Sequence, residues 1–289
     1  MPTVAPGLTP SFAPILAPEF VADGGTAPIV TRPTLSVYSV DLPVEATVTG
    51  GSLALFLIVD LLIKPTLEGD ISCRRPVGNM RCNPADLTTI DRYAVGRQSK
   101  PWSTFGDVAL YASIIAPVIY LGLESLALPT AEPLRDFAND LMVVSEAMAL
   151  TGAMQTLMKF AFRRPRPVRY IEVDAPLSSF DQELSFPSGH TAIVTAATTA
   201  LTTTIFLRHP HSQVRYLVLG GGILLSVLTA ASRVESGQHF PTDVAVGVLI
   251  GGFAGFAVPY LHRNKIPLIP TASLNPSTGQ TAFGLAGTF

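Results

Sequence analysis

Long apolar stretches without a charged residue dominate this chain. Four of them run for 16 to 18 residues: Val108–Leu123, Thr191–Leu207, Tyr216–Ser232 and Val244–Leu261. Two further apolar stretches include carboxylates, among them Asp60 in Val44–Ile63 and Glu146 in Leu141–Met158. Crossing the hydrocarbon core of a bilayer takes about 20 mainly apolar residues, with about 17 as the lower limit. The pattern therefore predicts an all-α fold, a six-helix transmembrane bundle.

Composition supports this prediction without excluding a soluble bundle. Charged residues make up 14% of the 289 positions, against about a quarter in soluble domains, and the mean hydropathy is +0.40. The fourth span is mostly Thr and Ala rather than Leu and Ile, so a soluble bundle with buried helices stays open as an alternative. The net charge of −2 comes without a basic stripe among aromatic residues, which gives no indication of a nucleic-acid partner.

The apolar pattern divides the chain into three parts. Residues 1–43 are rich in Pro, Ala and Thr and are predicted to be a flexible N-terminal arm, with no pattern of a cleavable signal peptide. Residues 44–262 are predicted to form the six-span helical domain. Residues 263–289 are predicted to be a polar C-terminal tail, for which disorder is favoured over a short pair of strands. The sequence leaves the oligomeric state open.

Two features inside the spans have structural explanations. Gly247, Gly251 and Gly255 recur every four residues, which lines small residues on one helix face and lets a neighbouring helix approach. Glu146 precedes Lys159 by 13 residues, about 20 Å along a helix. We therefore interpret Glu146 as an interhelical hydrogen-bonding residue outside the site described below.

Both cysteines lie in the long connection between the first two spans. Cys73 and Cys82 are nine residues apart, in a segment that also contains Pro76, Gly78 and Pro84. The spacing differs from that of a Cys-x-x-Cys redox or zinc pair. The two residues are predicted to form a disulfide if the loop faces an oxidising compartment, the alternative being two free thiols.

Candidate chemistry begins with two clusters around the third and fourth spans. Lys159 lies near the end of the third span, and Arg163, Arg164 and Arg166 follow it. Alone, such a basic rim is more typical of a membrane-flanking patch than of a site. The motif Pro187-Ser188-Gly189-His190 then opens the fourth span. Free N–H groups at a helix start bind anions, the Ser188 hydroxyl adds a donor, and His190 is placed to protonate a leaving oxygen.

A third cluster lies between the fifth and sixth spans and contains Ser232, Arg233, His239 and Asp243. Residues four apart on a helix are neighbours, so Asp243 is expected to accept a proton from one ring nitrogen of His239 and leave the other as a nucleophile. The third and fifth spans end where the fourth and sixth begin. All three clusters and the cysteine loop are therefore expected at one membrane face.

Together the three clusters resemble the three-part motif of the type 2 phosphatidic acid phosphatase (PAP2) superfamily, which includes soluble acid phosphatases and vanadium haloperoxidases. The matching positions are Lys159-x6-Arg166-Pro167, Pro187-Ser188-Gly189-His190 and Ser232-Arg233-x5-His239-x3-Asp243. The resemblance implies that Lys159, Arg166 and Arg233 hold phosphate oxygens, with Ser188 and the Gly189 amide completing the cradle. It further implies that His239 forms a phosphohistidine, that Asp243 orients His239, and that His190 is the acid for the leaving group.

The expected activity is that of a phosphatase without a metal or another cofactor, because fixed cations supply the positive charge. The expected substrate is a lipid phosphate or diphosphate, met among membrane lipids. The expected location is the cell membrane, with the site facing the periplasm or exterior. The alternatives are a lipid phosphotransferase, a vanadium-haloperoxidase-like enzyme on the same ligands, and a non-catalytic membrane scaffold, which would predict decayed motifs.

Overall fold

A computed structural model describes residues 37–67, 73, 76–77, 81–127, 130–171, 180–264, 269–274 and 281–286 of the chain. Within these ranges seven α-helices are found: α1 Leu42–Leu57, α2 Thr89–Arg92, α3 Lys100–Ala127, α4 Pro133–Phe162, α5 Gly189–Arg208, α6 Val214–Glu235 and α7 Pro241–His262. A π-helical turn, Ile58–Ile63, and a 3₁₀ turn, Lys64–Thr66, continue α1. Further 3₁₀ turns are Pro84–Asp86, Pro167–Tyr170 and Phe180–Glu183.

Six of these helices are long and apolar enough to span a membrane: Leu42–Thr66, Lys100–Ala127, Pro133–Tyr170, Gly189–Arg208, Val214–Glu235 and Pro241–His262. The six spans predicted from the sequence are confirmed. The first span is the most exposed: 6% of the residues in its most apolar stretch are buried, against 56% for α5. The exposed leucines of α1 are suited to lipid.

Helix α5 is the central element, although its sequence is rich in threonine. The hydroxyls of Thr198, Thr202, Thr203 and Thr204 each donate to the carbonyl four residues earlier at 2.7–2.9 Å. These bonds satisfy polar groups that would otherwise be buried without partners. This explains how a Thr/Ala helix is accommodated inside an apolar bundle.

Helices α5 and α7 approach so closely that side chains are excluded between them. A methyl group on Gly251 would lie 2.1 Å from the Ala192 carbonyl oxygen, and one on Gly255 would lie 2.6 Å from that of Ala196. A methyl on Gly247 would lie 2.8 Å from the Ser188 oxygen. The close approach expected from the glycine spacing is present, and it places the N-termini of both helices side by side.

Short strands lie outside the bundle. Pro76–Val77 (β1) pairs antiparallel with Arg81–Cys82 (β2), and a disulfide joins Cys73 to Cys82. Ile269–Leu274 (β3) pairs antiparallel with Thr281–Ala286 (β4). The tail therefore contains a hairpin where the sequence favoured disorder, because its uncharged residues pair their backbone groups across the two strands.

The predicted N-terminal arm lies outside the described residues as far as residue 36. Beyond that point the chain is attached to the bundle. Tyr38 forms an isolated bridge with Arg263, and its hydroxyl donates to Thr204 Oγ1 at 2.7 Å.

The contact between α5 and α7 predicts that alanine destabilises the protein at one of two adjacent glycines and has little effect at the other. Gly251→Ala should lower the stability of the detergent-solubilised protein by about 1–3 kcal/mol, because the backbones must separate. Gly252→Ala is the matched control, since its methyl would lie 3.8 Å from Thr195 Cγ2, an ordinary contact. Thermal unfolding of both variants checks this. Equal melting temperatures would contradict the close approach.

Candidate active site

An elongated cavity of about 850 Å³ lies inside the bundle. One end is polar, where α3, α5 and α7 begin and where α4 and α6 end. The other walls are apolar and come mainly from α1, α3 and α4. The polar end is lined by Asp60, Lys64, Asp107, Gln155, Lys159, Arg166, Asp181, Gly189, His190, Arg233, Gln238 and His239. All three clusters predicted from the sequence therefore contribute to this end.

The three predicted cations reach this end from separate segments. Lys159 lies in the last turn of α4, and Arg233 lies in the last turn of α6. Arg166 lies between these two residues in the sequence and is 7% exposed. Its guanidinium donates to the carbonyl of Asp181 at 2.9 Å and to Gln238 Oε1 at 2.8 Å. These bonds fix the guanidinium before any ligand binds.

Asp181 neutralises part of this positive charge. Its carboxylate lies 2.7 Å from Lys64 Nζ and 3.0 Å from an Arg166 nitrogen. Burial would raise the pKa of Asp181, but the charges of Arg166, Lys64 and Lys159 outweigh burial and lower the pKa to about 2. Asp181 is therefore ionised at neutral pH and connects Lys64, at the end of the first span, to Arg166.

His239 is fixed as a neutral ring with one defined proton. Its Nδ1 lies 2.7 Å from the carbonyl oxygen of Ser185. A carbonyl oxygen only accepts, so Nδ1 donates and Nε2 keeps its lone pair. Burial, reinforced by the charges of Arg166, Arg233 and Lys159, holds the pKa of His239 well below its usual value of 6.5. At neutral pH the ring is therefore uncharged and able to act as a nucleophile.

The structure does not show the direct bond expected between Asp243 and His239. The Asp243 carboxylate is 3.9 Å from His239 Nδ1. It accepts instead from the Phe240 N–H at 2.8 Å, from Ser185 Oγ at 2.5 Å and from Arg164 Nη1 at 2.5 Å. The expectation of direct contact is wrong because α7 begins at Pro241. His239 therefore lies before the helix, where the four-residue spacing rule does not apply.

Asp243 acts on His239 through Ser185. The side chain of Ser185 is held by Asp243, and the main-chain carbonyl of Ser185 holds the imidazole. Arg164 fixes the other side of Asp243 and also contacts Asp91 at 2.7 Å. Its guanidinium lies 4.3 Å from the centre of the Phe240 ring. We therefore describe Asp243 as a positioning residue.

Of the Ser188-Gly189 segment, Gly189 lines the cavity. Ser188 is the N-cap of α5, and its own N–H donates to the Asp243 carbonyl at 3.1 Å. Its hydroxyl lies 3.0 Å from Thr191 Oγ1 and is fully buried, so the hydroxyl does not supply the donor expected in the cavity. Gly189 forms the wall there. A methyl on Gly189 would lie 2.9 Å from Gln155 Oε1 and 3.4 Å from Lys159 Nζ.

His190 lies at the opening of the polar end and pairs with an acidic residue. Its Nε2 is 2.9 Å from Asp107 Oδ1. Arg233 Nη1 donates to the same oxygen at 3.2 Å. Asp107, on α3, therefore orients both the predicted acid and one of the predicted phosphate ligands.

Sequence reasoning missed four residues of this arrangement: Lys64, Asp107, Arg164 and Asp181. Lys64 and Asp107 flank apolar stretches that were interpreted only as spans, and Asp181 lies in the connection before α5. Arg164 was noted as part of the basic rim without a role. What these residues share in the sequence is a charge next to the end of a span, on the membrane face where the other clusters are expected.

Comparison with known proteins agrees with this geometry. Residues 140–267 match the sequence profile of the PAP2 superfamily, a range that contains all three motifs. Over this range the chain is similar to the PAP2 superfamily. This match, with relatives named as phosphatases, supports the prediction of a phosphoric monoester hydrolase. The six apolar helices support that of a multi-pass membrane protein.

Two curated relatives of this chain are named for lipid-linked substrates. Decaprenylphosphoryl-5-phosphoribose phosphatase from Mycobacterium tuberculosis is 28% identical over 172 residues, 58% of this chain and 81% of the relative. Undecaprenyl-diphosphatase from Sulfolobus acidocaldarius is 30% identical over 115 residues, 40% of this chain and 50% of the relative. A crystal structure of a transmembrane PAP2 type phosphatidylglycerolphosphate phosphatase from Bacillus subtilis aligns with a TM-score of 0.44 at 17% identity, covering 75% of this chain and 94% of that chain.

Proposed function

We propose that this protein is a metal-independent phosphatase that hydrolyses a lipid phosphate or diphosphate monoester through a phosphohistidine intermediate. One observation carries the proposal. Lys159, Arg166 and Arg233 converge with His190 and His239 at one end of a single cavity. Three fixed cations are suited to a phosphate group, and the two histidines supply a nucleophile and an acid.

The shape of the cavity supports a lipid rather than a water-soluble substrate. Beyond the polar end its lining is apolar and includes Leu53 and Phe56 from α1, Leu110 and Ile114 from α3, and Met148 from α4. A phosphate at the polar end would leave its apolar chain among these side chains. The relatives' decaprenyl and undecaprenyl substrates belong to the same chemical class.

The first chemical step forms the phosphoenzyme. His239 Nε2 attacks phosphorus in line with the ester oxygen, a phosphorus–nitrogen bond forms, and the phosphorus–oxygen bond to the lipid breaks. His190 gives a proton to the departing oxygen. Lys159, Arg166 and Arg233 stabilise the charge on the three equatorial oxygens, which is the role that a divalent cation has in other phosphoryl transfers.

The second step restores the enzyme. His190, now without that proton, accepts one from water, whose oxygen attacks the phosphohistidine. The phosphorus–nitrogen bond breaks, and inorganic phosphate leaves. An alcohol in place of water would make the same site a phosphotransferase, and a phosphate-release assay with and without an acceptor alcohol separates these two outcomes.

We further propose that the active site faces the periplasm or the cell exterior. The disulfide between Cys73 and Cys82 lies in the loop after α1, at the polar end of the cavity. Disulfides persist in oxidising compartments and are rare in the cytosol. The loop also contains basic residues. One of them, Arg97, pairs with Glu235 at 2.8 Å, so its charge has a structural role and need not indicate the side of the membrane.

His239→Asn should abolish phosphate release from a panel of lipid phosphates, by about 10³-fold or more, because it removes the proposed nucleophile. Purified protein in detergent would be tested against phosphatidic acid, phosphatidylglycerophosphate and polyprenyl diphosphates. His211→Ala is the matched control, since His211 is exposed in the connection between α5 and α6. Full activity of His239→Asn would refute the mechanism.

The same preparation separates the remaining alternatives. Labelled substrate quenched at alkaline pH should leave phosphate on the wild-type protein and none on His239→Asn. Halide oxidation in the presence of vanadate, without phosphate release, would identify a haloperoxidase-like enzyme instead. A protein with neither activity on any substrate would favour the scaffold.

The orientation predicts a compartment-specific thiol reaction. A membrane-impermeant thiol reagent applied to intact cells should label Cys73 and Cys82 only after an impermeant reductant is added, because the two thiols are bonded and face outward. A Cys73→Ser/Cys82→Ser variant is the control for specificity. Labelling that needs permeabilised cells, and no reductant, would place the loop and the active site inside.

A further inference from the structure

A second cluster of ionisable groups lies far from the active site. Glu45 in the first turn of α1, Glu146 within α4 and His262 at the end of α7 converge, and their ligand atoms all lie within 4.8 Å of one another. His262 Nε2 is 3.0 Å from Glu45 Oε1 and 3.4 Å from Glu146 Oε2. Since Glu146 precedes Lys159 by 13 residues, the cluster is about 20 Å from the phosphate-binding end.

The hydrogen bonding of His262 prepares it to bind a cation. Its Nδ1 lies 2.8 Å from the carbonyl oxygen of Val258. Because a carbonyl oxygen only accepts, Nδ1 donates, and Nε2 is the ring nitrogen that faces the two carboxylates. Histidines that bind metals characteristically donate their other ring N–H to a carbonyl or carboxylate in this way.

Glu146 gives an independent indication. Its side chain is 5% exposed, and its Oε2 has no hydrogen-bond partner within the part of the chain that the structure describes. An ionised carboxylate at such a position is costly unless a cation compensates it. This oxygen lies 3.4 Å from His262 Nε2 and so faces the centre of the cluster.

We propose that Glu45, Glu146 and His262 form a binding site for a divalent transition-metal ion, with Zn²⁺ as the expected occupant. One imidazole nitrogen and two carboxylate oxygens match three-protein-ligand zinc sites, in which water is the fourth ligand. Ligand atoms around tetrahedral zinc lie about 3.3 Å apart, near the two distances found here. Mg²⁺ and Ca²⁺ favour ligand sets made of oxygen alone.

Such an ion would attach α1 to the bundle. Little of the apolar surface of α1 is buried, so an ion at its first turn would add to its packing against α4. The site fixes its first turn to α4 and α7, while the far end of α1 supplies Lys64 and Asp60 to the active-site cavity. The proposed role is structural, and it requires no metal in the phosphatase reaction.

Metal content of the full-length protein tests this proposal. Protein purified without a histidine tag would be stripped with EDTA, loaded with Zn²⁺, dialysed and analysed by mass spectrometry for bound zinc. The wild type should retain about one Zn²⁺ per chain, with a higher melting temperature than the stripped protein. Glu146→Gln and His262→Gln should lose the ion. His211→Ala and the active-site variant His190→Ala should keep it.

The outcome does not depend on the proposed function, because the measured quantity is bound metal. A wild-type protein that retains no zinc, or cluster variants that bind it as the wild type does, would overturn the site. If the cluster variants do not fold, the absorption spectrum of Co²⁺-loaded wild type decides instead. A four-coordinate cobalt spectrum, unchanged in His190→Ala, supports the site, and its absence refutes it.

Discussion

The close contact between the backbones of α5 and α7 is the constraint on which the site depends. Gly247, Gly251 and Gly255 let α7 lie directly on the carbonyl groups of α5. This contact brings two helix N-termini together, and the N–H of Ser188 donates to the carbonyl of Asp243 across them at 3.1 Å. The proposed phosphate cradle and the proposed nucleophile approach each other from these two termini. Larger side chains in this contact would separate groups that must act on one phosphorus atom.

Three carboxylates keep the cationic site ordered. Asp181 holds Lys64 and Arg166, Asp107 contacts both Arg233 and His190, and Asp243 binds Arg164 and Ser185. Each carboxylate compensates charges that would otherwise repel one another at short range. The result is a preorganised set of donors that needs little rearrangement when phosphate binds.

The sequence predicted the spans and their common face because gaps between charges and motif positions are local properties. It could not predict Lys64, Asp107 or Asp181 as site residues, since their roles depend on how distant helices pack. Its error on Asp243 has a specific cause. The four-residue rule was applied to His239, but α7 begins only at Pro241. The contact is therefore relayed through Ser185, whose position depends on the connection before α5. The cluster of Glu45, Glu146 and His262 likewise depends on the packing of three helices that are far apart in the sequence.

The central claim is that one phosphate is held by Lys159, Arg166 and Arg233 while Nε2 of His239 attacks it. The most direct measurement is an experimental structure of the protein with bound vanadate, which imitates the five-coordinate transition state. The account predicts vanadium bonded to His239 Nε2, its equatorial oxygens contacting Lys159, Arg166 and Arg233, and its apical oxygen facing His190. Vanadate bound elsewhere, or in this cavity without contact to His239, would contradict the account.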